Sequence, residues 1–542
     1  MPSEQMRNLT VTRWEDEFIN DVAQARIREA LDSDKSVLVF CDQCETGSLS
    51  QLVDPEKNQG YIHVKRDEVA HCLLPCRRHT AESGGKNKDD GIGPSVFAVT
   101  DLSRVPVAIQ TLGLVVVCGL QERILLDKQT SHLVETLVDR SEAEMEAAIA
   151  HAHLSDQEDV SILTNAPLSP TRPKTPPRRI ENDQIESFVF ELLQVCKEIR
   201  FPHLLNCFIL DIHAVGETVI RLGTNKWIER SPSPVGRGLF TASTAEARRL
   251  ARLLPLFEYN FPPAAFLADF EDPTSRATVA AVRIAAITHF RLELVMPEFD
   301  IEQAADRKGM SPGELFVKIW RKLGPTCGLP PRYLEQGSIW IDLAAWHTGA
   351  IYRQNYATLP DERVNKGTLL FDIMSKELSQ ELLVDVVACR MIRQLVQRLD
   401  SVFDIPAHGP PSRLVLSQPD IDCIHDNLLR AWAYQTMFLY MEDCDQGVRK
   451  AYVDIVAGSN VSVKKPHRDR LVETVIPNGP EMPWEGMFLV ATGILRNETP
   501  HGAEFGPSGL VVIPVSAIHR WERAHYNASF YRAIQTRYPL VD

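Results

Sequence analysis

The sequence predicts a multidomain α/β + α + β chain: a parallel α/β domain, then a helical middle, then a β-rich end. Three observations carry that class. SVFAVT (95–100) and LGLVVVCGL (112–120) are near-continuous apolar runs, the pattern of strands buried on both faces of a parallel sheet. From 184 onward apolar residues recur at helical spacing. Beyond Pro406, short strand-like runs bounded by Gly, Pro and Asn take over.

The elements follow in order. ARIREAL (25–31) reads as a helix, KSVLVF (35–40) as a buried strand and YIHV (61–64) as a second strand. SGGKNKDDGIG (83–93) is a polar connection. After the two long apolar runs, QTSHLVETLV (129–138) and EAEMEAAIAHAH (142–153) read as helices, so 1–164 forms an alternating α/β domain. Residues 165–183, NAPLSPTRPKTPPRRIEND, are too rich in proline for regular structure and make a connector. Ser169-Pro170 and Thr175-Pro176 sit there beside Arg172, Lys174, Arg178 and Arg179. The segment is either a solvated linker or a basic tether tuned by phosphorylation.

QIESFVFELLQVCKEI (184–199) is helical. A second helix, a Gly- and Pro-rich hairpin and Ser243 or Thr244 as N-cap of AEARRLARLL complete a winged-helix pattern over 184–245. Amphipathic stretches at 274–296, 311–323 and 376–403 make 246–412 a helical domain. In 413–542 a helix over 421–441 precedes the runs AYVDIVA, NVSVKK, RLVETVIP, GMFLVATGILRN and SGLVVIPVSAI. That order suits a small barrel of the oligonucleotide-binding (OB) type, with a sandwich as the alternative.

Composition narrows the function. The chain has 542 residues, 44% hydrophobic, with a formal net charge of −14. An acidic chain of this kind is no general polyanion binder, so nucleic-acid contact needs a local basic patch. No apolar run of about 18 residues exists, so no membrane span is expected. Eleven Cys without dense spacing, and no signal-like N-terminus, point to an intracellular setting, nucleus or cytoplasm.

Most catalytic motifs fail. A P-loop needs two glycines bracketing four residues and then Lys-Ser/Thr. GSNVSVKK lacks the second Gly, and GGKNKDD lacks the hydroxyl residue. DEVAH (67–71) carries one residue too many for a DEAH box. Cys41, Cys44, Cys72 and Cys76 could supply four thiolates to zinc, although the second pair is irregularly spaced and buried Cys is a common small apolar residue. No metal is assigned. His213 and His289 read as packed or surface residues.

The order of these pieces resembles the C-terminal half of DEAH/RHA-type RNA helicases: a second RecA-like domain, a winged helix, a helical ratchet-like domain and an OB fold. KSVLVF is similar to the strand carrying motif IV. SVFAVTDLSRVPVAI (95–109) resembles motif V, with Thr100 and Ile109 in place, Asp101 where Asn is usual, and Arg104, Val105 and Pro106 replacing Glu-Thr-Ser. Ser141-Glu142-Ala143 matches the Ser-x-Ala that leads into motif VI, Gln-Arg-x-Gly-Arg-x-Gly-Arg. The arginines of that motif then fall on Ala148, His151 and Leu154. In the family those arginines reach the γ-phosphate and stabilise transition-state charge. Methyl groups and an imidazole supply no guanidinium fork. The resemblance thus implies a degenerate ATP site at Thr100, Asp101, Arg104, Ala148, His151 and Leu154, with no catalytic residue. ATP and Mg would be used only if a first RecA-like domain, which this chain does not resemble, came from elsewhere.

The expected function is a catalytically inactive module that binds RNA or other single-stranded nucleic acid. Its patch lies in VRKAYVDIVAGSNVSVKKPHRDR (448–470): Arg449, Lys450, Lys464, Lys465, Arg468 and Arg470, with Tyr452 as a stacking platform. Two alternatives stand beside it. One is a protein-interaction scaffold, with helicase or ribonucleoprotein proteins as partners. The other is a fragment of an ATP-dependent RNA helicase.

Overall fold

The structure is a computed structural model. It describes residues 11–13, 19–41, 49, 52–54, 59–64, 94–99, 109, 111–127, 130, 132–153, 160–165, 172–195, 208, 212–230, 239–290, 295–297, 337, 339–340, 342–344, 346, 368–370, 382–405, 415–444, 447–455, 460–461, 487–499 and 502–524. The chain divides into two compact units. One comprises Met1–Arg123, Thr136–Pro177 and Leu359–Gly367, the other Ile124–Glu135, Arg178–Thr358 and Thr368–Asp542.

The first unit is built on an all-parallel sheet. Its strands are β1 (Val11–Arg13), β2 (Ser36–Phe40), β3 (Gly60–Val64), β4 (Ser95–Val99), β5 (Leu112–Val117) and β8 (Ser161–Thr164), in the order β1-β8-β5-β2-β4-β3. β2, β4 and β5 are buried at every position. Their alternate residues go to opposite faces. Val37, Val39, Val96, Ala98, Leu114 and Val116 pack with Ala23, Ile27 and Leu31 of helix α1 (Asp21–Asp32). Leu38, Phe40, Phe97, Val99, Val115 and Val117 pack with Met145, Ala148 and Ala152 of helix α2 (Glu142–His153). A helix on each face is why these strands are continuously apolar rather than alternating.

Between β5 and α2 the sequence suggested a helix over 129–138. The chain instead forms β6 (Leu120–Leu126) and β7 (Leu133–Asp139), which neighbour each other in a sheet. The Asp127 carboxylate accepts from the backbone N–H and the hydroxyl of Thr130, both at 2.8 Å, and so turns the chain after β6. LVETLVD holds two Val and one Thr among seven residues, and pairing with β6 outweighs its helix-like spacing.

From Arg178 the second unit continues with a 3₁₀ turn (Arg179–Glu181), α3 (Ile185–Val195) and α4 (Ile212–Thr224). The hairpin β9 (Ile228–Arg230) and β10 (Leu239–Thr241) follows, then α5 (Ala245–Leu253), capped by the Thr244 hydroxyl. α6 (Phe261–Ala268) and α7 (Arg276–Phe290) come next. The expected helix over 274–296 ends at Phe290, and Val295–Pro297 is strand β11. It pairs with β13 (Leu382–Asp385), which also pairs with β12 (Thr368–Leu370). The helix expected over 376–403 starts only after β13, as α8 (Val386–Val402). The stretch 311–323 lies outside the described residues.

α9 (Gln418–Ala431) starts from a Ser417–Asp420 capping box. The helix expected to reach 441 stops ten residues earlier, and Thr436–Cys444 is strand β14. A short apolar run such as FLYM fits either state, and strand pairing decides it. β14 pairs with β15 (Gly447–Asp454) and with β17 (Met487–Thr499). β15 also pairs with β16 (Asn460–Val461), and β17 with β18 (Gly502–Ile513). β17 further pairs in parallel with β7 at Leu495↔Glu135. The chain then enters α10 (Val515–Ala524), where the sequence suggested that the strand SGLVVIPVSAI ran on to 518; it ends at Ile513 instead. Among the described residues no helix is long and apolar enough to cross a membrane.

Candidate functional site

The two halves of α2 differ in chemistry. At the N-terminal end, Ser141 and Glu144 form a capping box. The Ser141 hydroxyl accepts from Glu144 N–H at 3.3 Å, and the Glu144 carboxylate accepts from Ser141 N–H at 2.9 Å. The same carboxylate accepts from the Ser141 hydroxyl at 2.8 Å and from the Gln121 amide at 3.0 Å to each oxygen, and it pairs with Arg123. Arg140, fully buried, donates Nε to the Cys118 carbonyl at 2.9 Å and Nη1 to Gln121 Oε1 at 3.2 Å. Burial raises the Glu144 pKa, but the bonds from Gln121 and Ser141 and the Arg123 charge outweigh it, so the carboxyl stays below the usual range.

A helix N-terminus normally offers N–H groups that attract phosphate. In α2 they are taken. Glu142 N–H bonds the Pro173 carbonyl at 2.9 Å, Ala143 N–H the Lys174 carbonyl at 3.1 Å, and Glu144 N–H the Ser141 hydroxyl. The acceptors at 173 and 174 belong to the segment read as a solvated linker. Residues 173 and 174 act there as a strap, because their backbone supplies two acceptors that the helix end lacks.

At the other end Ala148 is fully buried and His151 is 8% exposed. The His151 ring lies 5.5 Å from the ring of Phe40, the last residue of β2. The final turn of α2 therefore reaches the carboxyl edge of the parallel sheet, where α/β folds hold ligands. It brings packing groups there. Thr100, Asp101, Arg104 and Leu154 lie outside the described residues. Where α2 is described, its first amides are bonded and Ala148 and His151 are buried.

The proposed nucleic-acid positions fare unevenly. Arg449 and Lys450 lie on β15, in register with Glu442 and Met441 of β14. Tyr452 is 3% exposed and packs with Met437, Leu439, Leu489 and Leu510. It shows no open ring face, so the stacking role is withdrawn: its alternation along β15 points it into the core. Lys464, Lys465, Arg468 and Arg470 lie outside the described residues. Cys41 is buried after β2, and Cys44, Cys72 and Cys76 lie outside the described residues. Among the described residues no group of three or more His, Cys, Asp or Glu is placed to hold a metal.

One site was not anticipated. In the second unit a small cleft, about 30 Å³ in cavity volume, is lined by Glu186, Arg221, Asn225, Trp227, Tyr434 and Gln435, among others. Glu186 and Arg221 face each other at 3.7 Å, and the Arg221 guanidinium stands 5.1 Å from the Tyr434 ring centroid. Burial pushes the Glu186 pKa up, against the pull of Arg221. Arg221 Nε, Asn225 Oδ1, Trp227 Nε1 and Gln435 Oε1 are buried with no hydrogen-bond partner among the described residues. The lining residues come from chain segments as far apart as 186 and 435, and no local sequence signal marks them.

No family model matches the sequence, and no curated protein matches it. Among solved structures, the chain is similar to the crystal structure of the E. coli DExH-box NTPase HrpB, with a TM-score of 0.46 and 11% identity. The match covers 94% of this chain and 47% of that one, so the chain spans about half the length of the structure it matches.

Proposed function

We propose that this chain is a helicase-related, DEAH/RHA-like nucleic-acid-binding protein that does not hydrolyse ATP through its α2 segment. Residues 184–245 are read as a winged helix, 246–412 as a helical ratchet-like domain and 413–542 as an OB-like domain. One observation carries the ATP half of the reading. The first amides of α2 are bonded to Pro173, Lys174 and Ser141, and Ala148 and His151, which the resemblance aligns with two of the motif arginines, are buried. With no charged fork and no open amide, α2 keeps the shape of a phosphate-reading helix without its chemistry.

The nucleic-acid half rests on the basic run at 448–470. Labelled single-stranded RNA titrated at two salt concentrations tests it. Each phosphate contact to a single strand steepens log K against log salt by about 0.7. Neutralising Lys464, Lys465, Arg468 and Arg470 together should therefore flatten the slope by roughly 3. Absence of binding at low salt would remove the reading. The burial of Tyr452 and the net charge of −14 favour a second reading, a protein-interaction scaffold, which that result would leave standing.

A further inference from the structure

We propose that Thr175 is a phosphorylation site for a proline-directed protein kinase. Thr175-Pro176-Pro177-Arg178 places proline directly after the hydroxyl residue and a guanidinium two residues further on. Ser169-Pro170-Thr171-Arg172 repeats the same spacing six residues earlier. Proline in that position offers no N–H and a fixed φ, which a kinase groove selects by shape. The arginine gives the groove a charge to pair with.

The structure makes Thr175 available. Pro173, Lys174, Thr175 and Pro176 are all exposed and outside helix or strand. The strap is fastened through the carbonyls of Pro173 and Lys174 to α2, so its anchoring uses backbone and not the threonine hydroxyl. The chain passes from the first unit to the second between Pro177 and Arg178, two residues on. A group added at Thr175 thus sits on the strap that caps α2 and beside the crossing between units. Phosphate carries close to two negative charges and enters a segment whose sequence holds Arg172, Lys174, Arg178 and Arg179.

The reaction is ordinary phosphoryl transfer. The Thr175 hydroxyl oxygen forms a bond to the γ-phosphorus of ATP as the bond to the β-phosphate bridging oxygen breaks. ADP leaves, and the hydroxyl proton passes to the kinase's base.

The test uses the full chain, a proline-directed Ser/Thr kinase, radiolabelled ATP and peptide mapping by mass spectrometry. Label is expected on Thr175. It should be lost in Thr175→Ala, kept in Thr175→Ser and strongly reduced in Pro176→Ala, with unchanged far-UV circular dichroism in all three. No label at Thr175 while a control peptide is modified, label confined to Ser169, or labelling at Thr175 indifferent to Pro176→Ala would each overturn the proposal.

Discussion

The two ends of α2 use opposite physics to hold one helix in place. At Ser141–Glu144 a buried carboxylate, two arginines, a glutamine and a hydroxyl bond one another. At Ala148–Ala152 the helix is held by apolar contact with β2, β4 and β5. A helix that must read a ligand keeps one end open. Here the first amides of α2 are bonded and Ala148 and His151 are buried, and that difference from an anion-binding helix is the basis of the proposed reading.

The sharpest way to break the comparison is to place a charge at the buried Ala148. Ala148→Arg would drive a guanidinium into a fully buried position among Leu38, Phe40 and Val115. Overpacking together with an unpaired buried charge should cost about 4 kcal/mol or more. Urea unfolding would measure it, and a near-neutral result would show that the site is looser than its burial implies.

Removing the polar end tests the opposite case. Glu144→Ala leaves the Gln121 amide, the Ser141 N–H and hydroxyl and Arg123 without their shared acceptor. A loss of about 3 kcal/mol is expected, since buried donors stripped of a partner keep their desolvation penalty. A change under about 0.5 kcal/mol, the range of ordinary surface substitutions, would mean that the network is not a unit.

The second unit supplies a buried polar group with no such network. His425 of α9 is 2% exposed, neither ring nitrogen has a hydrogen-bond partner among the described residues, and the Trp340 ring packs on it at 5.6 Å. Burial lowers its pKa to about 4, with Arg520 acting the same way and Asp422 opposing. The unfolded chain, with an ordinary histidine near 6.5, binds the proton more readily between those values. Stability from this group is complete above 6.5 and falls as pH drops toward 4, by roughly 3 kcal/mol at most. His425→Leu should remove that part of the acid loss with little cost at neutral pH. Identical pH profiles for the two proteins would contradict the assignment.

The sequence showed the parallel sheet because strands buried on both faces leave an unbroken apolar run, as in SVFAV and LGLVVV. It misread β7 and the end of α9 because short runs such as LVETLV and FLYM satisfy both periods, and only their strand neighbours decide. At the site, Ser141-x-x-Glu144 is a legible capping box that marks where α2 begins. The burial of Arg140 was not legible, because its acceptors, at Cys118 and Gln121, come near only through the β6–β7 excursion. Tyr452 showed the same limit: beside basic residues it looked like a platform, yet β15 turns it inward.

Phosphate release from radiolabelled ATP by the full chain, with magnesium and saturating single-stranded RNA, tests the central claim most directly. The account predicts a rate equal to that of the protein-free blank, with and without RNA. RNA-stimulated release by the unaltered chain would contradict it, since α2 would then be serving a triphosphate that its buried Ala148 and His151 give no means to hold.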